Sequence, residues 1–400
     1  MGVILEELIK QVDSRNIKIV AGSNGISNMV EWAHMVDNVE IAGFLTGGEI
    51  AFTTGIGINA EMTVMDLVTA VYKQNASGMV INVGPYIEKI GQDVIDFGNT
   101  HDFPIFEIPW RVHMADVMRL FCVTITRSEQ KAMELSAAFK NAIFTPQMKE
   151  LYMPVLMQKG YFSEWDYVVA VINICDKVEK DDYSYGYSPV LTERLDILHK
   201  KIEKKILGIK YDAVIYQNQE KLLIILSDTS EDEAYNIIKN VCQQITGSLK
   251  EKEVFFASVG KTAGQLSELC DSYMIAGRIE QLIRMDGLEN EIKSYSQMGI
   301  GRMLLNLKHM DSLDEYYADT IQPLDEYDEA NGGNLVETLE CYMLHNGSVQ
   351  DTAEEMYVHR NTVNYKLKKI EAILDINLTE FEVRNQLMTG LLVKKIRCLK

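Results

Sequence analysis

The most constraining pattern in the sequence is a run of helix starts and stops near its C-terminal end. Asn334, with Glu337 three residues later, predicts a capped helix start, and Gly347 predicts where that helix ends. Ser348 and Asp351 repeat the capping pattern directly afterwards. The spacing therefore predicts one helix followed, after a tight connection, by a second and shorter one.

A third helix is predicted after a turn at residues 357–359. Ala353 in the second helix is small enough to let two helices cross closely, and the apolar residues of the third helix recur at helical spacing. The predicted buried stripe consists of Val363, Leu367, Ile370 and Leu374. Two helices joined by so short a turn are typical of a helix-turn-helix, whose second helix enters the major groove of DNA.

The opposite face of the third helix carries cations and amides. Residues 360–369 contain four Lys or Arg and no acid, whereas the whole chain has 39 Lys and Arg against 58 Asp and Glu, a net charge of −19. Arg and Asn side chains can read base edges, while Lys, Thr and Tyr side chains reach phosphates. We expect the DNA contacts to come from Arg360, Asn361, Thr362, Asn364, Tyr365, Lys366, Lys368 and Lys369.

A plain amphipathic helix is the alternative interpretation of this segment. A single Lys-rich helix usually presents its polar side to water, and the net negative charge argues against a protein coated with basic surface. The capped helix and the tight turn that precede residue 360 favour DNA binding.

The N-terminal part of the chain alternates strand and helix patterns, which indicates a compact α/β domain. Strands are predicted at 17–21, 49–54, 79–83 and 105–108, and helices at 64–72 and 87–97. A long helical pattern follows over residues 114–142. This helix is either a dimer coiled coil or a packed connector, and its apolar spacing does not choose between them.

A second α/β region begins near residue 165 with the order β-α-β-β-α-β-α, which is a ferredoxin-like plan. Its strands are predicted at 167–174, 213–216, 221–226 and 254–259, and its helices at 190–207, 231–249 and 265–282. We therefore expect a multidomain chain of α/β and α parts. Its divisions are an α/β domain at 1–125, a helical connector at 126–162, a ferredoxin-like βαββαβ domain at 163–290, a helical linker at 291–333 and an all-α domain at 334–400.

Several kinds of site are not expected. The six Cys are scattered without a C-x-x-C pair, which indicates reduced thiols and neither a disulfide framework nor a zinc knuckle. The seven His include no pair four residues apart around a carboxylate, so we predict neither a metal site nor a cofactor. No signal peptide is apparent and the apolar runs are only strand-length, so we expect a cytoplasmic protein with no membrane partner.

The C-terminal pattern resembles a known family. Residues 346–353, continued by 359–367, resemble the C-terminal helix-turn-helix of the PucR/CdaR family of bacterial transcription regulators, and the His-Arg-Asn-Thr run that starts at His359 is specific to that family. Residues 323–328 are similar to its approach helix. Asn364 and Lys366 stand where many members carry arginine, which leaves the operator sequence open.

The N-terminal region resembles the sensory domain of the same family. The likeness is carried by 32–34, 44–49, 53–55 and 104–109. It implies that residues 1–125 bind an effector, for which purine-derived compounds, sugar acids and amino acids or amines are all compatible. The expected effector-binding residues are His34, Glu49, Thr53, Thr54 and Gly55. His34 is equally compatible with a purely structural role.

The ferredoxin-like region is similar to the GGDEF diguanylate cyclase fold, which this family carries in degenerate form. Asn173 and Cys175 stand where cyclases carry metal-binding acids, and the hairpin at 217–221 lacks both glycines and keeps only Glu220. Lys221 adds a positive charge where Mg²⁺ would bind. The resemblance therefore implies a domain without catalytic activity that relays a signal or dimerises.

Together these observations predict an effector-responsive, sequence-specific regulator of catabolic or transport genes, acting as an activator and not as an enzyme. Its expected partners are double-stranded DNA, a small-molecule effector and further copies of the same chain, because a single small module rarely gives useful specificity. One alternative is a nucleotide-binding signalling protein or enzyme that uses the GGDEF-like domain. Another is an interaction scaffold whose helix-turn-helix has lost DNA binding.

Overall fold

The computed structural model describes residues 2–13, 15–59, 61–178, 185–307 and 311–399. The chain divides into two compact units, residues 1–135 and 136–400. Within the described ranges, no helix combines the length and the apolar character that crossing a membrane requires.

The first unit is a mixed α/β fold. Its strands are β1 (Val3–Ile4), β2 (Lys18–Ala21), β3 (Met29–Val30), β4 (Trp32–Met35), β5 (Glu49–Thr53), β6 (Gly78–Val83) and β7 (Ile105–Pro109). Its helices are α1 (Leu5–Lys10), α2 (Val39–Ala42), α3 (Val64–Lys73), α4 (Gln92–Thr100) and α5 (Met114–Phe144), the last of which runs on into the second unit.

A five-stranded sheet organises this unit, in the order β2-β7-β6-β5-β4. Strands β4 to β7 are parallel, and β2 pairs antiparallel with β7 at one edge. Side chains of β5 alternate between two cores, since Ala51 packs with α3 and α4 while Phe52 packs with α1 and α5. Helices therefore cover both faces of the sheet, and this explains why the sequences of β5 and β6 are mostly apolar and do not alternate with polar residues.

Two local predictions for this unit differ from the structure. The strand at Trp32–Met35 was not predicted, because it is a short run with a charged residue on one side. The helix predicted at 87–97 begins only at Gln92, because Gly91 has an extended backbone, with φ −68° and ψ 155°. The residues before it form a loop in which Ile87 and Ile90 are buried.

The second unit contains another sheet. Its strands are β8 (Tyr167–Lys177), β9 (Tyr185–Gly186), β10 (Val214–Asn218), β11 (Lys221–Ser227), β12 (Glu253–Val259) and β13 (Glu291–Ser294). Its helices before residue 300 are α6 (Met153–Gln158), α7 (Pro189–Ile209), α8 (Glu231–Thr246) and α9 (Leu269–Met285). The strand order is β10-β11-β8-β12-β13, with β9 paired to β8, and β13 lies parallel to β12.

Helices cover both faces of this sheet as well. Helices α7 and α8 share one core with it, and α9 packs on the other face. The strand β13 lies at the start of the segment 291–333, which the sequence predicts as a helical linker. That expectation is wrong for these four residues, because Ile292 is buried in the core shared by α7 and α8 and their backbone pairs with β12.

The rest of the second unit is helical. Its helices are α10 (Gly301–Leu305), α11 (Asp311–Thr320), α12 (Gln322–Asn331), α13 (Leu335–Leu344), α14 (Val349–Glu355), α15 (Arg360–Leu374) and α16 (Phe381–Arg397). Helices α12 to α16 share one apolar core. The cations in the last turns of α16 pair with acids elsewhere: Lys394 with Asp325, Lys395 with Asp286 and Glu340, and Arg397 with Asp314.

A buried histidine gives this unit a pH dependence that can be measured. Burial lowers the pKa of His199, and the nearby Gln217 and Asp196 side chains oppose that effect only in part. Because the unfolded chain then takes up a proton more readily than the folded one, stability is lost as the pH falls through about 6.5, the ordinary value for this side chain. The protection factors of the α7 amides, which correct for the base-catalysed intrinsic exchange rate, should fall as the pH is lowered from about 7.5 to about 5.5.

The variant His199→Leu should flatten this dependence, whereas His101→Gln, at an exposed position of the first unit, should leave it unchanged. An equal loss of protection in the wild type and His199→Leu would show that another group is responsible.

Candidate nucleic-acid interface

Helices α14 and α15 are joined by a tight turn. Tyr357 in this turn has a left-handed backbone with φ 52°, and its side chain is 96% exposed. The amide of Val358 donates to the carbonyl of Ala353 at 2.9 Å and closes the end of α14. His359 is the N-cap of α15, where its Nδ1 accepts from the amide of Asn361 at 3.2 Å. The turn thus ends one helix and starts the next within four residues.

The apolar stripe of α15 fixes which side of the helix faces outward. Val363, Leu367 and Ile370 are buried against a core that also contains Leu339 of α13 and Ala353 of α14. Leu374, which was predicted to complete the stripe, is half-buried and packs at the margin of the same core. The remaining face of α15 therefore points away from the helices that support it.

Six of the eight side chains expected to contact DNA lie exposed on that face. They are Arg360, Asn361, Thr362, Asn364, Tyr365 and Lys368. Neither Arg360 nor Lys368 forms an ion pair with any other residue in the described part of the chain. Between residues 360 and 369 this face thus combines two uncompensated cations with amides and hydroxyl groups and contains no carboxylate, and the first acid of α15 is Glu371.

Lys366 and Lys369 were also expected on the exposed face, but the structure places both at its edge. They are half-buried and touch the preceding helices. The Lys366 ammonium donates to Oδ1 of Asn334 at the start of α13, and the Lys369 ammonium lies 5.0 Å from the ring centre of Tyr327 on α12. The sequence could not separate these two lysines from Lys368, because the pattern alone does not show which flank of α15 meets α12.

The start of α13 is capped differently from the prediction. Asn334 occupies the N-cap, but its amide Nδ2 donates to Glu337 at 2.8 Å and caps no backbone amide. The Asp328 carboxylate, at the end of α12, accepts from the amides of Leu335 at 2.8 Å and Val336 at 3.0 Å. Sequence reasoning missed Asp328 as a cap because it lies well before the helix that it caps.

In the first unit, three of the expected effector residues lie together. Thr53, Thr54 and Gly55 stand at the carboxyl end of β5. Asp37, which the sequence did not single out, organises them: its Oδ1 accepts from the hydroxyl of Thr53 at 3.0 Å and from the amide of Thr54 at 2.9 Å. The carboxyl ends of parallel strands are the common position for ligand sites in such sheets.

Glu49 and His34 lie apart from that group. Glu49 is at the amino end of β5 and only 7% exposed, and its carboxylate accepts from the amides of Thr46 at 2.9 Å and Gly47 at 2.8 Å. Burial alone would raise the pKa of Glu49, but these donors outweigh burial and hold it below its usual value. The Nδ1 atom of His34 lies 2.8 Å from the carbonyl oxygen of Met35. The five residues thus do not converge on one site.

Comparison with known proteins identifies both ends of the chain. Residues 7–125 match the purine catabolism regulatory protein-like family, PucR, and residues 335–393 match the PucR C-terminal helix-turn-helix domain. Both ends of the chain are therefore similar to domains of this family, as the resemblance seen in the sequence predicted.

Three relatives come from Bacillus subtilis (strain 168). The proline-responsive transcriptional activator PutR is 30% identical over 141 residues, 35% of this chain and 34% of PutR, and the transcriptional activator AdeR is 29% identical over 181 residues, 44% and 42% of the two chains. The matched part is less than half the length of each. The purine catabolism regulatory protein is 20% identical over 517 aligned positions, 95% of this chain and 97% of that protein.

Removal of the Asp328 carboxylate should loosen the support of α15. We expect Asp328→Ala to lower the free energy of unfolding by about 0.5–2 kcal/mol, as for the loss of other helix caps, because two amides at the start of α13 lose their acceptor. Urea unfolding followed by circular dichroism measures the change. The matched control is Glu329→Ala, one residue along the same helix and exposed. If the two variants unfold alike, the cap contributes nothing to stability.

Proposed function

The chain carries both end domains of the PucR family, and we propose that it is an effector-responsive, sequence-specific DNA-binding regulator that activates transcription. The observation that carries this proposal is the exposed face of α15 between residues 360 and 369, which is free of acid in a chain of net charge −19. The names of PutR and AdeR describe transcriptional activators, which supports activation as the direction of control.

The residues of α15 divide by position into two groups. Arg360 and Asn361, in its first turn, would read base edges, since the N-terminal residues of a recognition helix reach deepest into the major groove. Thr362, Asn364, Tyr365 and Lys368 would contact phosphates or neighbouring bases. Lys366 and Lys369 would contribute positive potential and hold α15 against α12 and α13.

The middle sheet supports a degenerate GGDEF-like, ferredoxin-like domain. The chain order β8-α7-β10-β11-α8-β12, with β8 between β11 and β12, follows that plan. Glu280 on α9 is fully buried and accepts from Nδ2 of Asn173 at 2.7 Å and from the ammonium of Lys221. An internal ammonium thus neutralises the buried carboxylate beside the hairpin, which is the chemistry of a structural ion pair and not of a Mg²⁺ site.

The remaining assignments complete the proposal. Residues 1–125 would sense the effector, with Thr53, Thr54 and Gly55 at the carboxyl edge of the sheet as contacts and Glu49 and His34 supporting nearby segments. Residues 126–162 would connect this domain to a relay and dimerisation domain at 163–290. Residues 291–333 would link that domain to the DNA-binding domain at 334–400, and the protein would act in the cytoplasm as a homo-oligomer.

DNA binding is tested by two substitutions on α15 with different expected signatures. Arg360→Ala should reduce the preference for operator over random DNA by about 1–3 kcal/mol per recognition helix, which is the discrimination that one good base contact contributes. Lys368→Ala should weaken binding to all sequences alike. It should also reduce the slope of the logarithm of the binding constant against the logarithm of the salt concentration by about the amount of one phosphate contact. Fluorescence anisotropy with the chain's own promoter region and a scrambled duplex, at several salt concentrations, measures both.

The matched control is Lys239→Ala, an exposed lysine on α8, which should change neither quantity. If Arg360→Ala and Lys368→Ala bind both duplexes as the wild type does, α15 does not read DNA.

The alternative of a nucleotide-binding middle domain has a direct test. Mg²⁺ with GTP should leave the thermal unfolding midpoint of the full chain unchanged, because Lys221 and Glu280 neutralise each other. A clear stabilisation that Glu220→Gln removes would favour the nucleotide-binding alternative.

A further inference from the structure

A cleft of about 420 Å³ opens at one corner of the first unit. It lies between the loop that follows α1 and the loop that joins β7 to α5. Because β2 starts where β7 ends, with Lys18 paired to Glu107, both loops stand at the carboxyl edge of the parallel strands. This is the edge at which open α/β sheets bind ligands. Its volume is sufficient for a small metabolite.

Four polar side chains of the cleft have no partner within the described residues, and each of them can donate a hydrogen bond. Arg111 and His113, from the loop before α5, line it together with the amide side chains of Gln11 and Asn16. None of these four side chains forms a hydrogen bond or ion pair with another residue in the described ranges. A guanidinium with two amides beside it is a typical environment for a carboxylate.

The two acids that line the cleft already have partners. Asp13 forms an ion pair with Arg15, with 2.7 Å between Oδ2 and Nη2, and Asp116 lies 3.4 Å from Nη2 of Arg119. Neither Arg15 nor Arg119 lines the cleft. An arginine outside the cleft therefore compensates the charge of each of these two acids. Arg111 has no such acidic partner, so its charge is available to a ligand.

The apolar part of the lining indicates the chemistry of the rest of the ligand, beyond its anionic group. Val112 and Leu120 are half-buried and present aliphatic surface, and Val117 forms the buried floor. A short aliphatic body would cover this surface and gain from its removal from water. An extended polar ligand such as a sugar would leave its hydroxyl groups against side chains that cannot bond them.

We propose that this cleft binds a small organic carboxylate, with the anionic group at Arg111 and an aliphatic body on Val112 and Leu120. The inference rests on the proposed function in that such a ligand would act on the regulator as a second effector, at a position apart from Thr53, Thr54 and Gly55. It places the ligand at the β2–β7 end of the carboxyl edge, whereas Thr53, Thr54 and Gly55 mark the end of β5. A simple carboxylic acid and an amino acid share the recognised group.

Isothermal titration calorimetry on the full chain tests this with three probes that share one aliphatic body. They are 4-methylpentanoate, L-leucine, which adds an ammonium group, and 3-methylbutan-1-amine, which has no carboxylate. We expect at least one carboxylate to bind at millimolar concentration and the amine not to bind. Tighter binding of L-leucine would assign the site to amino acids, and tighter binding of 4-methylpentanoate to simple acids.

Two variants locate the site. Arg111→Gln should weaken binding by about tenfold or more, because a charge-assisted pair is lost, and Val112→Trp should abolish binding by filling the cleft. Arg127→Gln is the matched control, because Arg127 is exposed farther along α5 and does not line the cleft, and it should change affinity by less than about twofold. Circular dichroism should show the same unfolding midpoint for all three variants, since each site is partly or fully exposed.

The proposal is overturned if neither carboxylate binds, if the amine binds as well as they do, or if binding survives both Arg111→Gln and Val112→Trp. DNA binding measured on the same preparations separates the two hypotheses. Intact DNA binding with no carboxylate binding refutes the ligand site alone. Carboxylate binding in a chain that does not bind its promoter region refutes the regulator function alone.

Discussion

The orientation of α15 depends on how α12 and α13 hold it. Its apolar stripe fixes the rotation of the helix about its own axis, but a stripe of three buried residues permits some tilt. Polar contacts at the flank restrict that tilt: Lys366 reaches Asn334 at the start of α13, and Lys369 lies over Tyr327 on α12. Asp328 then ties the end of α12 to the start of α13. The exposed face thus has a fixed direction before any ligand arrives, which lowers the entropy that binding would cost.

In the same unit, ion pairs occupy many of the cations, so few of them remain available to bind DNA. Helix α16 carries three cations in its last turns, and each of them pairs with an acid on another helix. On α15, by contrast, Arg360 and Lys368 have no acidic partner within the described residues. An acidic chain repels nucleic acid at long range. The absence of carboxylates between residues 360 and 369 of α15 therefore matters more than the number of its lysines.

The helix pattern of the C-terminal domain could be predicted from the sequence because caps and apolar spacing act over a few residues. The same local rules gave β5 and β6, whose apolar runs are continuous. They failed where a partner distant in sequence decides. Asp328 caps a helix that starts seven residues later, and the Lys366 ammonium donates to Asn334. Residues 291–294 form a strand because their backbone pairs with β12. The grouping of the expected effector-binding residues was the hardest feature to predict. Glu49 and Thr53 are close in sequence, but they lie at opposite ends of strand β5.

Tyr357 has a consequence for experiments on this domain. Its ring is almost fully exposed and its backbone is left-handed, so the fold does not depend on packing of that side chain. The native tryptophans are Trp32, Trp110 and Trp165, all far from it in sequence. A tryptophan placed at position 357 would therefore be the single indole of the C-terminal helices. The wavelength of its fluorescence emission maximum would report whether water or another molecule surrounds the turn, and no dye would have to be attached.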